Sequence, residues 1–327
     1  MSAANKEIIN WLKNKNQRFR ENICAPIVFK LMDLIGFQRH LPFTCTGDDA
    51  QELIYRKLIS GKPCMIGRIG ASEIRNMEGV LHQNDPFLKK LKQRCLLHQA
   101  GISKTTRKVM SPLVEEYNNL FAEKFTQRMM EELRQLDVFA SWRWEETGVF
   151  SKPYHFDIVS LWDLEPFFSA TPWTRALAGR KVLVVQPFTK TVESQYKYRT
   201  KLFSNPDILP EFELQTYMPF FRGLRDDPAN KSWFENLDCM KEEISKLDFD
   251  IALIAAGPYG FFLGAHIKRM GKQAVIMGGV LQLLFGIKGS RWDSTPKYSK
   301  LYNEYWIRPG EECKPRNFSD IDGGCYW

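Results

Sequence analysis

Arg68 and Glu73 flank a glycine turn in Lys62-Pro-Cys-Met-Ile-Gly-Arg-Ile-Gly-Ala-Ser-Glu-Ile-Arg75. A guanidinium suits a phosphate or sugar anion. Gly67 and Gly70 let a ligand approach the backbone, and a carboxylate at position 73 can take a sugar hydroxyl or a metal ion. The plain alternative is that Glu73 only complements the dipole of the helix it opens. A second group of polar residues lies between Asp250 and Trp292. There Gly257-Pro-Tyr259-Gly260 and Gly278-Gly279 each follow an apolar run, and Gln282, Arg291 and Trp292 come next. These glycines either admit an anion to the backbone or merely shape tight turns. His155-Phe-Asp157 and Trp162-Asp163 form a third and weaker group, with rings beside carboxylates as sugar sites use them.

These residues need elements to hold them. Cys64–Ile66 reads as a short buried strand running into the Arg68 turn, with a helix opened by Ser72 and Glu73. Ile251–Ala256, a helix over 261–270 and a second apolar run at 274–277 make a βαβ unit, so both glycine pairs fall at the carboxyl ends of parallel strands. The spacing is not the dinucleotide fingerprint, because no third glycine follows Gly257 and Gly260. Upstream, Val182–Gln186 and Phe212–Tyr217 read as strands and 233–247 as a helix. Four strands at βα spacing therefore occupy 182–277. Asp48 reads as the N-cap of a helix over 50–60, and Val138–Trp142 as a further strand. In the charged helices of 86–135, Met110, Leu113, Tyr117, Leu120 and Phe121 are expected to face inward. The aromatic tail ending in Cys325-Tyr-Trp327 has rings to bury, which predicts that it folds back on the domain.

The expected fold class is α/β, a Rossmann-like doubly wound and mostly parallel sheet over 48–327, with an N-terminal helical extension over 1–47. No apolar run is long enough to span a bilayer, no signal-peptide pattern opens the chain, and seven cysteines without paired metal spacing suit reduced thiols. A cytoplasmic location is expected on those grounds. The net charge of +8 calls for an anionic partner. Nucleic acid is not expected, since the basic residues are spread along helices and no binding module is recognisable. Residues 1–36 carry Ile8, Ile9, Trp11 and Leu12 among lysines and arginines, a pattern that can lie on the inner membrane face or pack on its own domain.

The segments resemble the GT-D-type glycosyltransferases. Ile66-Gly-Arg68-Ile-Gly70-Ala-Ser-Glu73 is similar to that family's strand and Arg-Phe-Gly-Asp-Gly-Glu turn. Ala256-Gly-Pro258 through Met277-Gly278 is similar to its later strand-glycine-helix-strand unit. Gln186-Pro-Phe, Ser194-Gln-Tyr196, the stretch 278–289, Arg291-Trp292 and Gly324-Cys-Tyr-Trp327 also resemble proteins of polysaccharide biosynthesis. The resemblance implies transfer of a sugar from a nucleoside-diphosphate donor to a glycan or lipid-linked acceptor.

In that reading Gly67, Arg68, Gly70, Gly257, Tyr259, Gly260, Gly278, Gly279, Gln282, Arg291 and Trp292 hold substrate. Glu73 serves as base or as ligand to Mn²⁺ or Mg²⁺, with Asp157 the reserve base. One departure weakens the metal role. The family's acidic pair is reduced to Glu73, because Ala71 stands at its Asp position. A lone carboxylate makes a poor octahedral site unless diphosphate and water complete it. The alternative is a non-catalytic nucleotide- or phosphosugar-binding protein on the same sheet.

Overall fold

The computed structural model describes residues 40–82, 115–221, 224–225, 232–315, 318–320 and 322–327, with side chains in the second span from 120. The basic N-terminal segment, its proposed membrane contact, Met110 and Leu113 lie outside these residues, as does the side chain of Tyr117. Among the described residues there are seven strands: β1 (Cys64–Gly67), β2 (Val138–Ser141), β3 (Asp157–Ser160), β4 (Lys181–Val185), β5 (Glu213–Tyr217), β6 (Ile251–Ile254) and β7 (Gln273–Ile276). They form one parallel sheet in the order β3-β2-β1-β7-β6-β4-β5. The chain builds outward from β1 to one edge and crosses to β4 and β5 at the other. It then fills the middle, so the first and last strands pair at the centre.

Strand alternation divides the apolar residues between two cores. Leu183 and Val185 of β4, Ala252 and Ile254 of β6, and Ala274 and Ile276 of β7 face one side. Val182, Val184, Ile251, Leu253 and Val275 face the other. The first face is covered by α2 (Ala71–Leu81), α3 (Glu115–Glu132), α5 (Trp233–Ser245) and α6 (Tyr259–Arg269), through residues such as Met77, Phe125, Leu237 and Phe262. The second is covered by α1 (Asp48–Ile59), α4 (Thr189–Tyr196) and the C-terminal segment, through Ile54, Val192, Leu284 and Trp306. Both faces are thus sealed, the arrangement that parallel sheets require. This is the doubly wound α/β fold that the periodicity predicts.

Three local readings change. Gly47 rather than Asp48 is the N-cap of α1, and Asp48 becomes its first residue. Leu120 is exposed, because the inward stripe of α3 runs through Phe121, Phe125 and Met129 at a spacing of four. Asp157, a reserve base in the sequence reading with no element assigned to it, opens strand β3. No helix among the described residues is long and apolar enough to cross a membrane.

Candidate functional site

The three glycine turns meet at one edge. Gly67–Gly70 follows β1, Gly257–Gly260 follows β6 and Gly278–Gly279 follows β7, and these strands are neighbours in the order β1-β7-β6. The loops leave in opposite directions. Those after β1 and β6 feed α2 and α6 on the first face, whereas Leu281, Leu283 and Leu284 after β7 join the second core. The carboxyl ends of β1 and β7 therefore bound a topological switch point, where sheets of this kind take their ligands. The N-termini of α2 and α6 open at the same edge and leave backbone N–H groups directed toward it.

Arg68 lies across that switch point. Its Nε reaches the carbonyl of Met277 at 3.5 Å, and its guanidinium lies 6.0 Å from the centre of the Trp142 ring. Trp142 is tied down in turn by an indole N–H donated to the carbonyl of Ile69 at 3.2 Å. Gly278 has φ +68°, and a Cβ there would fall 2.0 Å from Nη2 of Arg68, so the guanidinium fills the space that glycine leaves. Among the described residues no carboxylate lies within ion-pairing distance of Arg68, whereas Arg143, 5.0 Å from the centre of the same Trp142 ring, is neutralised by Glu145.

The tail forms the other wall. Tyr326 covers Gly279, where a Cβ would stand 2.4 Å from its ring. The Arg291 guanidinium lies 4.7 Å from the Tyr326 ring centre and donates to its hydroxyl at 3.2 Å. Trp327 is anchored by its indole N–H on the carbonyl of Cys313 at 2.7 Å and packs against Phe188 and Phe318. The expected folding back of the tail is therefore what the chain does. Trp292 is buried and supports this wall from behind.

Several residues read as substrate-binding carry the frame instead. Gln282 Nε2 donates to the carbonyls of Ile287, Lys288 and Tyr326 at 3.3, 3.0 and 3.1 Å, so it fastens the tail to its own loop. Tyr259 is buried and stacks on Trp233 at 4.4 Å with nearly parallel rings. Gly67 allows close packing against Ile276, where a Cβ would come within 2.6 Å, whereas a Cβ at Gly260 would make only ordinary contact, 3.4 Å from Ile254 and 3.6 Å from Ile276. Gly257 alone in its turn is exposed. Asp157 stands at the amino end of β3, the opposite edge of the sheet, and pairs with Lys57 at 3.1 Å. The strand reverses which end the residue faces, a fact that the local sequence does not carry.

Glu73 lies back over the start of its helix. A Cβ at Gly70 would fall 2.1 Å from Glu73 Oε2, which puts the carboxylate against the N-cap residue. That is where a first-turn acid complements the helix dipole. Among the described residues no group of three or more His, Cys, Asp or Glu side chains could hold a metal ion. Glu73 alone does not make a ligand set for Mn²⁺ or Mg²⁺.

The end of β2 supplies acids that the sequence reading passed over. Glu145 is buried between Arg143 at 2.6 Å and Arg75 at 3.0 Å. Burial pushes its carboxyl up, and the two arginines outweigh this and hold it below the ordinary value. Glu146 is fully buried, accepts from the Ser141 hydroxyl, and takes the Trp142 N–H on both oxygens at 3.2 Å. Burial dominates there and raises its carboxyl to about 7, against those hydrogen bonds.

This carries a prediction. The native state keeps a proton at Glu146 that the unfolded chain releases from its ordinary value of 4.5 upward. Stability therefore falls as pH rises through that window and levels off above about 7. Glu146→Gln stays neutral, so in urea unfolding it is expected to gain on the wild type by on the order of 2–3 kcal/mol between about pH 5 and about pH 8. A gap that does not change with pH would show that Glu146 is ionised in the folded protein.

An open depression of about 650 Å³ lies at the opposite edge, beside Arg175, Arg180, Asp250, Lys272 and Gln273. Its cations are occupied by the fold. Arg180 donates to the carbonyl of Leu58 at 3.3 Å, and Gln273 Nε2 donates to Leu58 and Lys62 carbonyls at 2.9 Å. They satisfy the carboxyl end of α1, whose dipole disfavours anions. The glycine edge remains the better candidate on chemistry.

No protein-family model, curated protein or solved structure matches the chain.

Proposed function

We propose that the protein binds a nucleoside-diphosphate sugar at the β1/β7 switch point and transfers the sugar to a glycan or lipid-linked acceptor. The observation that supports this most is Arg68, held across the switch point in the space left by Gly278, with no described carboxylate within ion-pairing distance. Arg68 would take the diphosphate together with the N–H groups at the starts of α2 and α6, and Arg291 would add charge from the tail side. A departing diphosphate needs this charge stabilisation when the glycosidic bond breaks. Glu73, at the same turn, would hold the donor sugar or accept the proton of the acceptor hydroxyl. The described side chains form no ligand set for a metal, and Arg68, Arg291 and the helix N–H groups would carry the charge stabilisation.

A second reading has its own observation. The Glu73 carboxylate lies against Gly70 and Ala71 stands at the family's Asp position, which suits a protein that binds the nucleotide sugar without transferring it. The test is a thermal-shift screen over nucleotide sugars, followed by donor turnover in Glu73→Gln. Glu73→Gln is expected to keep donor binding and lose turnover by at least about two orders of magnitude. Turnover unchanged in the variant removes Glu73 from the chemistry, binding without any turnover in the wild type favours the second reading, and no stabilisation by any donor sinks both.

A further inference from the structure

Leaving β3, the chain passes through two single turns, Leu161–Leu164 and Pro166–Phe168. They present two exposed rings at the carboxyl edge of the sheet, the edge that carries the glycine turns. Trp162 is 54% exposed and Phe168 44%. Between them stands the ammonium of Lys297, 4.6 Å from the centre of the Trp162 ring and 4.3 Å from that of Phe168. The ring of Tyr298 lies behind it at 5.6 Å.

The group is anchored from below. Glu165 is buried, accepts the Tyr298 hydroxyl on both oxygens at 2.8 and 2.9 Å, and lies 3.7 Å from Lys297 Nζ. Its backbone is held too, because Gln51 Nε2 donates to the carbonyls of Asp163 and Glu165 while Gln51 Oε1 accepts the Trp173 N–H at 2.9 Å. Burying a carboxylate is costly, and here it fixes one lysine between two rings that themselves remain in water.

From these contacts we infer that Trp162, Phe168 and Lys297 form an acceptor platform for an acidic saccharide. The inference rests on the transferase reading above. Flat rings in water take the apolar face of a sugar, and a fixed ammonium between them takes a carboxylate or phosphate on the same residue. The chain's net charge of +8 draws such a ligand in. The platform lies at the same edge of the sheet as the proposed donor site. One stretch carries Arg291 at the Tyr326 wall and Lys297 at the rings, and the charge of Arg68 bears on Glu165. Three strand spacings, about 14 Å, separate β3 from β7. Two rings and one lysine are too small for a stable protein interface, which takes on the order of 1,000 Å² or more. A single lysine is also a poor membrane contact, since anionic bilayers are held by clusters of about four or more basic residues.

The experiment is isothermal titration of the full chain with a galacturonic acid hexasaccharide and with cellohexaose, beside vesicles containing phosphatidylserine. The acidic hexasaccharide is expected to bind, and cellohexaose at least about tenfold more weakly. Trp162→Ala and Lys297→Met should each weaken the acidic ligand by about tenfold or more while leaving nucleotide-sugar binding as in the wild type, and Trp162→Ala should also keep the wild-type thermal midpoint. Arg68→Ala should do the reverse. No binding of the acidic hexasaccharide, equal binding of cellohexaose, or wild-type affinity in Trp162→Ala would overturn the platform. So would Lys297-dependent binding to the vesicles alone. Loss of nucleotide-sugar binding in the wild type would fail the transferase reading instead, independently of the saccharide result.

Discussion

Gly278→Ala is expected to weaken nucleotide-sugar binding by on the order of 30- to 100-fold, the worth of a charge-assisted phosphate contact. The added methyl would fall 2.0 Å from Nη2 and 2.5 Å from Cζ of Arg68, so the guanidinium must swing out of the switch point. A flexible side chain can do that without unfolding the sheet. Backbone strain accompanies it, because Gly278 has φ +68° and an L-residue there loses about 1–2 kcal/mol. Gly179→Ala separates the two effects. Gly179 has φ +70° with nothing within 4 Å of the would-be Cβ, so that variant suffers strain alone. Both variants should lose similar stability in urea unfolding, and only Gly278→Ala should lose ligand. Equal affinity in the two would mean that Arg68 does not serve the ligand from its present position.

The parts of this arrangement differed in how far they could be read from the chain. Strands β4, β6 and β7 are legible because each is a short apolar run with a turn signal on either side, and a buried parallel strand needs little else, whereas β5 is an edge strand of mixed residues, Glu213 exposed and Leu214 to Tyr217 half-buried. The meeting of Arg68 with Gly278 was legible only as an expectation that both turns lie at carboxyl ends. Their contact depends on the pairing of β1 with β7, which joins residues far apart in sequence. Strand β3 is not legible, because only Ile158 and Val159 separate Asp157 from Ser160, a run too short to show a period, and without that strand the edge that Asp157 occupies cannot be read. Trp142 and Glu165 gave no local signal at all. Their roles come from partners on other elements, Ile69 for one and Tyr298 for the other. Gln282 misled for the opposite reason. A polar head in an apolar run reads as a pocket residue, yet here it binds carbonyls of its own chain.

Gln282→Leu should accordingly destabilise the fold by on the order of 3 kcal/mol, since three backbone carbonyls lose one shared donor in a buried place. Leucine is close to glutamine in size, so little of the loss comes from a cavity. The three acceptors belong to Ile287, Lys288 and Tyr326, so the damage is directional. The turn at 286–289 and the tail lose the bond between them, and Tyr326 no longer has a fixed seat over Gly279. Limited proteolysis should therefore cut within the last residues of the tail earlier than in the wild type, before the sheet opens. Gln186 supplies the contrast. It is equally buried, at 1% exposure against 2% for Gln282, but its amide nitrogen has no partner among the described residues. Gln186→Leu removes an unsatisfied donor and should leave stability unchanged or raise it. If the two substitutions cost the same in denaturant unfolding, the three carbonyl contacts of Gln282 do not hold the tail, and the wall beside Arg291 is fixed instead by Trp327 and by the Ser290 and Arg291 N–H groups on the carbonyls of Trp327 and Cys325, both at 3.0 Å.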